Sequence, residues 1–184
     1  MKPGILSLLV LFVFDWILHG ESRIVPQESF DLDQFMGKWY EVAVVSDCPH
    51  YMQKKKGNPV IVILDLKASQ QGNVTVLATV PRNGSCHQTS TQYASTDTAG
   101  QFFYHVPRLG VDVDAYVVRT DYDQYAMLGL LSTEIASQNK TTIFKLYNRS
   151  LDVRQAVLDD FQTLVRTYGM RDDIIVNENK VNET

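Results

Sequence analysis

Val111-Asp112-Val113-Asp114-Ala115-Tyr116-Val117-Val118-Arg119 places apolar residues at every second position, and Thr120-Asp121-Tyr122-Asp123-Gln124 separates it from a second apolar run, Tyr125–Leu131. Side chains of a strand alternate sides with period two, so the pair reads as two neighbouring strands joined by a tight polar turn. The same signature spreads outward. Segments 38–46, 60–66, 74–80, 86–94, 101–105, 111–119, 125–131 and 141–147 are rich in Val, Ile, Thr and aromatic residues, the composition of strands. Turn chemistry separates most of them: Gln70-Gln71-Gly72, Pro81-Arg82-Asn83-Gly84, 96–100 and Pro107-Arg108-Leu109-Gly110. Links this short join antiparallel neighbours. Eight such strands in a meander form a sandwich or close into an up-and-down barrel, and closure removes the exposed edges of an open sheet and leaves room for one small ligand.

The period changes at both flanks. Phe30–Met36 reads as a short helical turn, and Val153, Ala156, Val157, Phe161, Leu164, Val165 and Tyr168 recur at helical spacing. The pattern predicts one C-terminal helix over 151–168, packed on the barrel wall. Ser150 is its expected N-cap, Asp152 suits the positive end of its dipole, and Gly169 ends it. Residues 174–176 read as a short extended piece, and a polar tail follows from Asn177.

Residues 1–22, with Lys2, the apolar run Ile5–Phe14 and small residues at Gly20 and Ser22, read as a secretory signal peptide. Residues 23–184 form the expected single domain, secreted and extracellular. Asp15 and His19 interrupt the apolar run short of a membrane span. Five Asn-x-Ser/Thr sequons, at Asn73, Asn83, Asn139, Asn148 and Asn182, suit a glycoprotein, with the first three favoured because they fall in expected turns. A net charge of −4 without a long basic run argues against a nucleic-acid partner. The two cysteines, Cys48 and Cys86, and four scattered histidines show no metal-ligand spacing.

Three separated signatures line up in family order. Gly37-Lys38-Trp39-Tyr40 resembles the Gly-x-Trp motif of the lipocalins, Thr120-Asp121-Tyr122 their Thr-Asp-Tyr turn, and Arg149 their arginine after the last strand. The resemblance covers 30–176 and is greatest to the alpha-1-microglobulin branch, over 37–49, 93–105, 115–126 and 145–149. It implies an all-β, eight-stranded lipocalin (calycin) barrel whose closed end is plugged by Trp39, with Arg149 stacked on the indole. It also implies a secreted, non-enzymatic carrier of a small hydrophobic or amphipathic molecule. Haem and retinoids are candidate cargo, no cofactor is required, and Cys48 is a reactive thiol at the rim. Of the three lysines tied to reductase and scavenging activity in that branch, one falls at Val106 and one within 131–133, and only Lys145 matches. Cys86 would pair in the family with a cysteine near the C-terminus, which this chain lacks, so a looser tail is expected.

The residues leave alternatives open. Cys48 is a free thiol activated by Lys54, Lys55 and Lys56, the disulfide partner of Cys86, or an inert thiol, and Cys48-Pro49-His50 is a candidate contact to haem iron. The chain also resembles lipocalin-type prostaglandin D synthase, but Ile61 stands where that group has its nucleophilic cysteine. A third reading is a partner module of an extracellular complex, linked through Cys48 or Cys86. Strand parity carried up from Trp39 turns Glu41, Ala43 and Val45 toward the cavity, and parity from Arg149 does the same for Tyr147 and Lys145, leaving Tyr40, Val42, Phe144 and Leu146 outside. An inward Lys145 needs an offsetting charge, for which Glu41, water or an anionic ligand group are the candidates.

Overall fold

The computed structural model describes residues 23–69, 72–82 and 85–178. The expected signal peptide and the sequons at Asn83 and Asn182 lie outside them. Helix α1 (Leu32–Phe35) leads into strand β1 (Gly37–Ser46), helix α2 (Pro49–Gly57) and strands β2 (Val62–Ala68), β3 (Val74–Arg82), β4 (Ser85–Ser95), β5 (Gln101–Val106), β6 (Val111–Thr120), β7 (Tyr125–Glu134) and β8 (Lys140–Asn148). Helix α3 (Gln155–Thr167) and the short strand β9 (Ile175–Val176) follow.

Neighbours in sequence pair antiparallel from β2 to β8, β8 pairs with β1, and the lower half of β1 pairs with β2 from Gly37↔Leu66 to Glu41↔Val62. That pairing closes an eight-stranded barrel. The upper half of β1 carries β9 on its free side, Ala43 opposite Val176.

Alternation along the strands sorts the apolar residues into two cores. Trp39, Val76, Phe102, Ala115, Val117, Leu128, Leu130 and Tyr147 face the interior, whereas Met127, Phe144 and Leu146 face out and meet Val157, Phe161, Leu164 and Val165 of α3. Those helix residues recur every three to four positions, which puts them on one stripe.

The helix begins later than expected. Its N-cap is Arg154, without a side-chain bond, because the Asn148 amide donates to the carbonyls of Ser150 (3.1 Å) and Asp152 (2.9 Å). These bonds hold the preceding segment out of helical geometry, so neither Ser150 nor Asp152 serves the helix start. Gly169, at φ 72°, ends the helix in the left-handed conformation that glycine adopts without strain.

β2 also starts two residues later than expected. Val60 bridges in parallel to Glu178 instead of joining the antiparallel ladder. Helix α2 was not foreseen, since its sequence, PHYMQKKKG, carries no apolar stripe.

A second correction concerns parity. The ladder between β1 and β8 shifts register between Glu41 and Ala43. This bulge at Val42 puts one extra residue on β1 and reverses the sides of everything above it. Ala43 and Val45, expected to line the cavity, instead pack in the outer core with Val42, Phe144 and Leu146. Val44 takes the inward side, opposite Lys145.

On the outer wall, an added Cβ at Gly129 would come within 2.9 Å of both Ile24 Cγ2 and Phe144 Cε1. The bare backbone there lets the segment before α1 lie across β7. Gly129→Ala is expected to lower the unfolding free energy by about 1–3 kcal/mol through overpacking. Gly57→Ala, which meets nothing within 4 Å, is expected to be neutral or stabilising. Urea titration of both variants checks this.

Candidate functional site in the barrel interior

The six motif residues gather at one end of the barrel. Trp39 is 1% exposed and its indole N–H donates to the Phe35 carbonyl at 2.9 Å. The Arg149 guanidinium lies 3.6 Å over the ring centroid and donates to the carbonyls of Tyr122 (2.9 Å), Lys38 (2.9 Å) and Gln34 (3.0 Å). A cation–π contact of this kind contributes about 0.5–2 kcal/mol. Gly37, at φ 92°, keeps the chain clear of Arg149, whose Nη1 would lie 3.4 Å from an added Cβ. The turn is tied by its own side chains. The Tyr122 N–H donates to Thr120 Oγ1 at 2.9 Å, and Asp121 Oδ1 accepts from Gln124 and Tyr125 N–H, each at 2.9 Å. This end is plugged, so a ligand enters from the other.

Above Trp39 lies a narrow cavity of about 40 Å³. Its floor and walls are mostly apolar, including Phe35, Leu66, Val76, Phe102 and Leu128, and its polar groups are Lys145, Tyr147, Tyr93 and Tyr104. The Tyr93 and Tyr104 rings stack at 4.0 Å between centroids and 5° between planes. Burial pushes the Tyr93 and Tyr147 hydroxyls above their ordinary range, so both remain neutral donors.

Of the residues expected inside, Lys145, Tyr147 and Glu41 come together. Lys145 Nζ lies 2.6 Å from Glu41 Oε2. A second ammonium that sequence reasoning did not place there, Lys55 of α2, lies 2.8 Å from Glu41 Oε1 and 3.2 Å from the Val60 carbonyl. The Asn177 amide adds donors to the Glu41 carbonyl (2.7 Å) and to Oε1 (3.3 Å). Asn177, expected to open a loose polar tail, is buried.

Burial alone would raise the Glu41 carboxyl, but Lys145 and Lys55 outweigh it and hold the group down at about 2. Burial likewise opposes the Lys145 charge, and Glu41 overcomes it, keeping the ammonium well above its usual range. The centre therefore holds two ammoniums and one carboxylate.

Cys48 precedes the first turn of α2, is half-buried, and its N–H donates to Ser46 Oγ at 3.1 Å. Cys86 is exposed on β4, and neither cysteine is in a disulfide. Lys54, Lys55 and Lys56 occupy the last turn of α2, about 9 Å or more along the axis from Cys48 at ~1.5 Å per residue. They do not surround the thiol as expected, because the helix runs between them. Among the sequons, Asn139 is exposed and Asn73 half-buried. Asn148 is 6% exposed with its amide nitrogen bonded to Ser150 and Asp152, so a sugar on that nitrogen is incompatible with the fold, and Asn148 drops from the glycosylation sites. Among the described residues no group of His, Cys, Asp and Glu is placed to hold a metal ion, and no helix is long and apolar enough to cross a membrane.

Residues 36–182 match the model of the lipocalin / cytosolic fatty-acid binding protein family. Protein AMBP of Pleuronectes platessa is 45% identical over 161 residues, 87% of this chain and 45% of the relative. The chain thus spans about half the length of the AMBP proteins it matches. Prostaglandin-H2 D-isomerase of Felis catus is 27% identical over 94% of this chain and 88% of its own. Among solved structures the siderocalin Ex-FABP superposes with a TM-score of 0.65 at 23% identity, over 81% of this chain and 97% of that one, a likeness of fold.

Removing the anion from this centre leaves Lys145 buried without a partner. Glu41→Gln is expected to cost about 3–5 kcal/mol near neutral pH, and Glu41→Gln with Lys145→Met to recover much of it. The folded carboxyl sits near 2 against an ordinary 4.5, so its contribution is complete above about 4.5 and is lost as pH falls toward 2. Chemical denaturation across that range is expected to show a loss in the parent protein that Glu41→Gln flattens.

Proposed function

This chain belongs to the lipocalin / cytosolic fatty-acid binding protein family, and from that premise we propose that it is a secreted carrier of a small amphipathic molecule with an apolar body and an anionic head. The observation that carries this reading is the division of the cavity. Its lower part, from Trp39 to Leu128, is hydrocarbon and aromatic, which favours an apolar body by about 25 cal/mol per Å² removed from water. Its upper part presents Lys145 beside a carboxylate already shared with Lys55. One positive charge is left over, and a carboxylate or enolate entering beside Lys145 neutralises it. Retinoic acid and other slim carboxylates fit this division, and haem, with two propionates, shares the anionic character. Cys48, free and half-buried at the start of α2, is the group we assign to any thiol chemistry on bound cargo.

The isomerase-like reading has less support. Ile61, at the position where the resemblance places the nucleophile, is a buried hydrocarbon and supplies no thiolate.

Trp39 lines the cavity, so its fluorescence reports occupancy. Titration is expected to give saturable quenching by retinoic acid and by haem. Lys145→Met is expected to weaken retinoic acid about tenfold relative to retinol, the loss of one charge-assisted bond. Equal affinities of the variant and the parent for acid and alcohol alike would remove the anionic head from the proposal, and the absence of quenching by any of the three would remove these cargoes.

A further inference from the structure

Among the described residues, strand β4 is paired on one side along its whole length and on the other only at its end. It registers with β3 through its whole length, from Val74↔Tyr93 to Arg82↔Ser85, but with β5 only at Ala94↔Phe103 and Ser95↔Phe102. Carried upward in the same register, Val106, the last residue of β5, stands opposite Thr91, so the part of β4 before Thr91 projects past the end of its neighbour. There the Tyr93–Tyr104 ring stack holds the two strands where their backbone ladder stops. Cys86 to Ser90 are exposed on both faces of the hairpin.

An edge of this kind offers a row of unpaired backbone donors and acceptors, and proteins ordinarily protect such edges with charged residues, proline or a covering segment. Cys86-His87-Gln88-Thr89-Ser90-Thr91-Gln92 contains no Asp, Glu, Lys, Arg or Pro. Its side chains already pair with strand chemistry like their own: Gln92 with Thr75 at 2.9 Å and Gln88 with Thr79 at 3.3 Å across the β3–β4 ladder.

We propose that this edge of β4 pairs antiparallel with the same edge of a second copy of the chain, giving a two-fold dimer with a sheet continuous through β3, β4 and their two counterparts. A second copy is the occupant that the edge itself describes. It brings an uncharged strand, so no like charges are opposed, and it sets Thr, Ser and Gln against Thr, Ser and Gln, pairs that hydrogen-bond across strands. A two-fold axis normal to the sheet keeps each face on its own side. The registers with greatest overlap then set Cys86 opposite Ser90 or Gln92 of the second copy, and never opposite Thr91, whose side chain lies on the other face. The inference stands on the edge alone and is independent of the carried ligand.

Sedimentation velocity of the purified protein under reducing conditions is expected to show a monomer–dimer equilibrium. Thr89→Lys, which opposes two ammoniums near the axis, is expected to weaken it about tenfold or more, with near-ultraviolet circular dichroism confirming that the variant folds. In a Cys48→Ser background, oxidation is expected to cross-link Ser90→Cys or Gln92→Cys to Cys86 of the second copy, identified by peptide mass, and to leave Thr91→Cys without that link. A monomer throughout the accessible concentrations, a dimer indifferent to Thr89→Lys, or cross-linking as fast at Thr91→Cys as at the other two positions overturns the proposal.

Discussion

A carboxylate that is 3% exposed, taken out of water with two ammoniums around it, costs several kcal/mol per ion before any attraction is counted. Glu41 recovers that cost by joining three parts of the chain that share no ladder at this level. Lys145 belongs to β8, Lys55 to helix α2, and Asn177 to the segment after β9. The Val42 bulge, immediately above, lets this happen. Below it Glu41 keeps the inward side it shares with Trp39, and above it Ala43 and Val45 feed the outer core beneath α3. One strand thereby carries an ion centre on one side and a hydrocarbon seam on the other.

The strands and turns were legible because period-two alternation and turn residues are local signals. The closed end was legible through the family resemblance of Trp39, the Thr120-Asp121-Tyr122 turn and Arg149, since the contacts of Arg149 join residues far apart in sequence. Parity above Glu41 was not legible. Val42-Ala43-Val44-Val45 is an unbroken apolar run, both of whose faces are buried, so hydrophobicity records no side and a one-residue bulge leaves no trace.

The choice of Lys55 over Lys54 and Lys56 was equally hidden. Three identical side chains in a row differ only in where a helix of unannounced position aims them. Asn177 reads as the first residue of a polar tail, and only the docking of β9 on β1 brings it against Glu41. The late start of α3 has a similar origin. Ser150 and Asp152 have good capping chemistry, but a side chain on the preceding strand, Asn148, engages their carbonyls first.

The two ends of the barrel use cationic groups in opposite ways. At the closed end Arg149 directs its donors to three carbonyls and its face to an indole, dipolar partners that fix its plane and leave no room for a guest. At the open end the ammoniums of Lys145 and Lys55 share a single carboxylate. Guanidinium geometry suits the first task, since a rigid fork locks a helix, a strand and a turn carbonyl at once. A flexible amine on a four-carbon stem suits the second, because it turns toward a second anion without disturbing the wall. The difference between a plug and a mouth thus comes down to whether the buried cation already has all the acceptors it can use.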